Sequence, residues 1–134
     1  MNATTAANLL ASMNGEAFDY TKFMLYADRA RLQGHQQLAA LFENAAKQER
    51  FEHFVEGAGL AGLVRSDEDN LRNAVGSESS EVEKRYRDFA ERAFAVGDDA
   101  AGAHFEECGR AEIRRREAFR AALSKLESNA LRAW

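Results

Sequence analysis

Four apolar stripes run along the chain at helical three-and-four spacing, and charge interrupts each of them. In the first, Leu9, Met13, Tyr20, Phe23, Met24 and Ala27 recur on one face, and Glu16 falls among them. The second, Leu38, Phe42 and Ala45, continues through Glu49 and Glu52. The third, Leu71, Ala74, Phe89 and Ala93, passes through Glu78 and Glu81, and the fourth, Ala101, Phe105, Cys108, Phe119 and Ala122, meets Glu112 and Arg115. Seven charged side chains therefore stand where a core is expected. Burying an unpaired ion costs several kcal/mol, so these groups need partners, and metal ions are the simplest.

Punctuation between the stripes predicts the elements. A first helix starts near Thr4 or Thr5, either of which can cap it, and ends at Gly34, which suits a left-handed C-terminal residue. A second runs from about His35 through Glu56 and is closed by Gly57, Gly59 and Gly62. The stretch from Gly57 to Asp67 is the one long connection, with Leu60, Leu63 and Val64 expected to cover one end of the core. A third helix opens on the acidic run Ser66-Asp67-Glu68-Asp69, favourable at a helix N-terminus, and ends at Gly97. The fourth runs from Asp98, a good N-cap, to about Leu131.

The halves are copies. Ala27, Gly34, Phe42, Glu43 and Glu49 match Ala90, Gly97, Phe105, Glu106 and Glu112 at a constant offset of 63, while Glu16 matches Glu78 at 62. One residue has been gained in the third helix. A repeated helical hairpin predicts an all-α, antiparallel four-helix bundle, with each copy supplying half of any site on the pseudo-two-fold axis. The expected domain is a single one over 1–134, with hairpins at about 4–56 and 67–131 and a crossover at 57–66.

Bulk properties narrow the picture. At 134 residues the chain fits one domain that buries roughly two-thirds of its unfolded surface. Proline is absent. A net charge of −4, from 18 basic and 22 acidic residues, gives no basic field for nucleic acid. No apolar run reaches membrane-spanning length, and the polar start MNATTAANLL lacks the blocks of a signal peptide, so the expectation is a cytoplasmic protein with no membrane partner. The lone Cys108 excludes an internal disulfide and a four-cysteine metal module within the sequence, so electrons must come from elsewhere.

Di-metal bundles take one Glu from each of two helices and a Glu-x-x-His pair from each of the others. Here the glutamates are kept and the histidines lost: Glu49 is followed three residues on by Glu52, Glu112 by Arg115, and Glu78 by Glu81. Three residues return to nearly the same helix face, so each pair can converge on one ion. Six carboxylates and one guanidinium sum to −5, which two divalent or trivalent metals would largely neutralise. An oxygen-rich set favours iron or manganese over copper or zinc.

The alternative is a metal-free bundle in which Arg115 bridges two or three glutamates. Guanidinium cannot ligate a metal and fills volume a second ion needs, so Arg115 could also leave a mononuclear or asymmetric site. His53, four residues after Glu49, is an alternative ligand to Glu52 or a flanking imidazole. Tyr20 and Tyr86 lie within a turn or two of the carboxylates, as packing residues or as hydrogen-bond and electron donors. Arg110, Arg114, Arg116 and Arg120 read as a solvated face, and Cys108 as a small hydrophobe.

NGEAFDYTKF, followed by ADRARLQGHQQLAALFENAAKQE, resembles the first helical hairpin of rubrerythrins, members of the ferritin-like superfamily. SESSEVEKRYRDFAERA with HFEECGRAEIRRREAF resembles the second, so the likeness covers about residues 8 to 123. It implies that Glu16, Glu49, Glu78, Glu81 and Glu112 stand at or near ligand positions, and that Glu52 and Arg115 stand where the family has histidines. It further implies two iron ions, with manganese or a mixed pair as alternatives. The activity implied is that of a non-haem di-iron oxidoreductase reducing peroxide or dioxygen, fed by an external donor such as a rubredoxin or a flavoprotein. The alternatives are iron binding or storage with ferroxidation, and a structural or regulatory bundle whose site has degenerated. Leu9, Leu131 and Trp134, apolar and beyond the expected helix overlap, predict a homodimer, in which hairpins can be exchanged.

Overall fold

The computed structural model describes residues 1–128, and every regular element among them is helical. In order these are α1 (Ala3–Leu32), α2 (Gln36–Gln48), a π-helical stretch (Glu49–Phe54), α3 (Val55–Ala61), α4 (Asp67–Ser77), α5 (Ser80–Ala95) and α6 (Asp99–Glu127). The class is all-α. The chain forms two compact units, Met1–Val64 and the part from Arg65 onward, each a helical hairpin of the kind a four-helix bundle is built from.

Within each unit the hairpin closes in the same way. Gly34 and Gly97 take φ of 77° and 84°, the left-handed conformation that a side chain disfavours. The next residue then donates back into the helix, His35 N to Ala30 O and Asp98 N to Ala93 O, both at 2.9 Å. Between the arms lies a seam of small residues: Ala27, Ala30, Ala39 and Ala46 are buried in the first hairpin, and Ala90, Ala93, Gly102 and Gly109, each 63 positions on, are buried in the second. Small side chains let the helices approach closely along this line. The aromatic neighbours repeat as well. Phe23 and Tyr26 pack on Phe42 at centroid distances of 6.3 and 5.3 Å. Their counterparts Tyr86, Phe89 and Phe105 pack with Tyr86–Phe89 at 6.3 Å and Phe89–Phe105 at 5.4 Å. Ala27 is fully buried. Ala27→Leu is therefore expected to overpack the first seam and destabilise the chain by about 1–3 kcal/mol, measured by urea denaturation.

Three boundaries differ from expectation, each for a physical reason. Asn2, rather than Thr4 or Thr5, caps α1, because its Oδ1 accepts from Thr5 N at 2.8 Å. The helix after the first turn does not stop at Gly57 or Gly59 but continues to Ala61, and Gly62, at φ 60°, ends it. Gly57 serves another purpose: a Cβ there would stand 3.0 Å from Met13 Cγ, so the missing side chain admits α1. The connection is thus shorter than expected, and Leu60, Leu63 and Val64 are exposed rather than covering a core. The third helix is broken at Glu78 and Ser79, where Glu78 takes φ −94° and ψ 41°. The break falls where the repeat offset changes from 62 to 63, so it absorbs the gained residue.

Ser66 does cap α4, its Oγ accepting from Asp69 N at 3.2 Å, and Asp67, Glu68 and Asp69 fill the first turn. Asp98 stands at the N-cap of α6 without a side-chain cap bond. The expected helix end at Leu131, and Trp134, lie outside the described residues. Among the described residues no helix is long and apolar enough to cross a membrane.

Candidate metal centre

Of the seven inward charges, Glu16, Glu49, Glu78 and Glu112 are half-buried, whereas Glu52, Glu81 and Arg115 are exposed. None among the described residues is fully buried. That corrects the expectation of seven core charges. Two helices have one shared face but no enclosed interior, so a stripe within a single hairpin stays half open.

In the first hairpin Glu16 sits one turn after Met13 on α1. Ser12 Oγ donates to its Oε1 at 2.7 Å, and its Oε2 is buried without a hydrogen-bond partner. An acceptor oxygen shielded from water with nothing to accept from is unstable unless a proton or cation reaches it. Glu49 opens the π-helical stretch. A π turn holds one residue more than an α turn, so the side chain four positions on, not three, returns over the first. His53 accordingly places Nδ1 3.3 Å from Glu49 Oε2. Glu52 is carried off that face: it is exposed and accepts only from Gln48 Nε2, at 3.5 Å. Tyr20 packs beside this stretch, with the Arg50 guanidinium 5.5 Å from its ring centroid. Deleting Phe51 would close the π turn to α pitch. The melting temperature should stay within about 4 °C, equivalent to roughly 1 kcal/mol for a chain of this size, whereas deleting Leu25 from the continuous α1 should lower it by more than about 10 °C.

In the second hairpin the carboxylates already have a cation. Arg115 Nε donates to Glu78 Oε1 at 3.0 Å, and its Nη2 reaches Glu78 Oε2 at 3.5 Å and Glu112 Oε1 at 2.6 Å. Both carboxylates are shielded, 13% and 14% exposed, while the arginine side chain is 49% exposed and comes in from the surface. The hydrogen bond that Arg115 donates to Glu78 outweighs desolvation and holds the guanidinium above its ordinary basicity, so it stays charged. Arg116, expected on a solvated face, is instead 14% exposed. Its Nη1 donates to the Glu78 backbone carbonyl at 3.4 Å and its Nη2 to Glu83 at 3.3 Å, tying down the carbonyl freed at the helix break. Glu81 lies in the first turn of α5, exposed. Tyr86 packs edge-on against Phe89, and Cys108, half-buried, lies 3.5 Å from His104 Nε2.

Among the described residues no three His, Cys, Asp or Glu side chains are grouped so as to hold an ion. The donor sets differ between hairpins. The first offers the orphaned Glu16 oxygen and the Glu49–His53 pair, a carboxylate and imidazole set that suits a first-row divalent metal. In the second, Arg115 is already hydrogen-bonded to both Glu78 and Glu112, so these two do not fit a further ion without displacing it. Sequence spacing alone missed Ser12, Arg116 and the pairing of His53 with Glu49. Only the four-residue interval pointed to the last.

No protein-family model matches the chain. It is 30% identical over 139 aligned positions to a rubrerythrin of Porphyromonas gingivalis, an alignment that covers 95% of this chain and 70% of that protein. Each of the repeated hairpins carries half-buried glutamates on its apolar stripe, and the likeness to the Porphyromonas gingivalis protein extends over nearly all of the sequence. The chain belongs to the rubrerythrin family.

Proposed function

We propose that the chain is a rubrerythrin-type oxidoreductase that reduces hydrogen peroxide or dioxygen at a carboxylate-held iron or manganese site. The observation that carries this reading is the buried, unpartnered Oε2 of Glu16, on the same hairpin as a glutamate–histidine pair. Glu16, Glu49 and His53 would hold the ion in the first hairpin; the family resemblance implies that Glu78 and Glu112 belong to the same ligand set and that 1–134 is one bundle domain. Glu52 and Glu81, being exposed, are left outside the set.

The metal would supply a reversible change of oxidation state. Ser12 fixes one oxygen of Glu16 and aims the other into the site. With Nδ1 on Glu49, His53 keeps Nε2 for the ion and its half-exposed edge for proton exchange with water. The overall conversion consumes one peroxide, two electrons and two protons and yields two waters; the electrons come from an external donor such as a rubredoxin or flavoprotein. Family resemblance implies two iron ions. We take the working form to be a homodimer, because large apolar side chains such as Leu10, Phe18 and Leu25 are exposed.

Arg115 on Glu78 and Glu112 favours a second reading, a bundle whose site has become structural. The experiment that separates them is anaerobic loading with Fe(II) followed by peroxide addition in the presence of a reduced rubredoxin. Many turnovers per chain, lost in Glu49→Gln, are expected. Absence of iron uptake by folded protein would leave the structural reading.

A further inference from the structure

The unequal hairpins point to an unequal centre. We infer that the Arg115 guanidinium stands in for one of the two cations, so that each chain binds a single metal ion beside a built-in organic cation. This rests on the metal-site reading proposed for the chain.

Three observations carry it. The guanidinium spans carboxylates from two different elements, Glu78 at the α4–α5 break and Glu112 on α6, as a bridging cation does. Its planar fork of donors matches carboxylate geometry but cannot ligate a metal, so occupancy by arginine and by an ion are mutually exclusive. Arg116 also reaches the Glu78 backbone carbonyl, at 3.4 Å, so two arginines converge on the helix break that carries this carboxylate. By contrast, the first hairpin offers no Lys or Arg to Glu16 or Glu49: their side-chain partners are Ser12 and His53.

Charge agrees. Glu78 and Glu112 with Arg115 carry −1, so an added divalent ion would turn this partly desolvated trio positive.

The test counts metal on the full chain, with anaerobic Co(II) as the probe and equilibrium dialysis and visible absorption as readouts. Wild type should bind one Co(II) per chain, Arg115→Lys one, and Arg115→His two. In chelator, Arg115→Met should melt well below wild type and be restored by Co(II), because an ion can then occupy the vacated place; this reading does not depend on the histidine variant folding. Two ions per chain in wild type, or one in a folded Arg115→His, would overturn the inference while leaving the metal-site reading intact. No Co(II) in wild type or in any variant would overturn both.

Discussion

Replacing Glu16 with glutamine is expected to lower metal affinity by about 100-fold or more, at or above the upper end of what changes to groups that merely support a ligand produce. It should not lower, and should slightly raise, the melting temperature in chelator. Both effects follow from one atom. Glu16 Oε2 is shielded from water and has no donor, so in the metal-free chain the carboxylate is a liability that an amide relieves. In the proposed metal site the same oxygen would be a ligand, whereas the glutamine NH2 would present hydrogens to the ion. Ser12 keeps its hydrogen bond in either case, since the amide oxygen can accept where Oε1 did. Affinity measured by competition with a chelating indicator, beside melting curves in EDTA, separates the roles. A variant that melts far lower in EDTA and binds metal normally would mean that Glu16 is a structural acceptor.

His53→Ala should weaken metal binding by about 10- to 100-fold, and Glu52→Ala should leave it within about threefold. The contrast depends on the π turn. At α spacing both Glu52 and His53 would neighbour Glu49; in the π turn only His53 does, at 3.3 Å. Glu52 is exposed and its carboxylate meets only Gln48. Isothermal titration of Mn(II) into each variant reads the difference directly. The reverse order, with Glu52→Ala the damaging change, would place the ligand at the three-residue interval and return the stretch to ordinary helix when metal binds.

The repeat explains why so much of the fold was legible. Alanine, glycine and aromatic positions recur 63 apart because each hairpin solves the same packing problem, and a solution used twice in one sequence stands out against a single occurrence. The left-handed glycines at the two tight turns and the Ser66 cap follow from local chemistry that a few residues decide. Glycine misled where its purpose was packing: Gly57 looks like a stop and is a contact with Met13. The break at Glu78 was readable as a change of offset, but not as a loss of helix, because an extra residue can be absorbed by a bulge or by a break. At Glu49–Phe54 another irregularity took the form of a bulge, and hydrophobic period does not distinguish an α turn from a π turn over six residues. That ambiguity is why Glu52 and His53 could not be ranked by spacing. Arg115 was conspicuous from sequence, since a guanidinium on an apolar stripe must meet carboxylates; which ones it meets, Glu78 and Glu112, required coordinates.

The central claim is that these carboxylates exist to hold a redox metal. It is tested most directly by metal analysis of the chain stripped with chelator, reloaded anaerobically with Fe(II), and freed of loosely bound ions by gel filtration. The account predicts about one iron per chain, a melting temperature raised by the metal, and loss of both effects in Glu16→Gln and Glu49→Gln. A helical, cooperatively melting protein that retains no iron, and whose stability is the same in Fe(II) and in chelator, would contradict it.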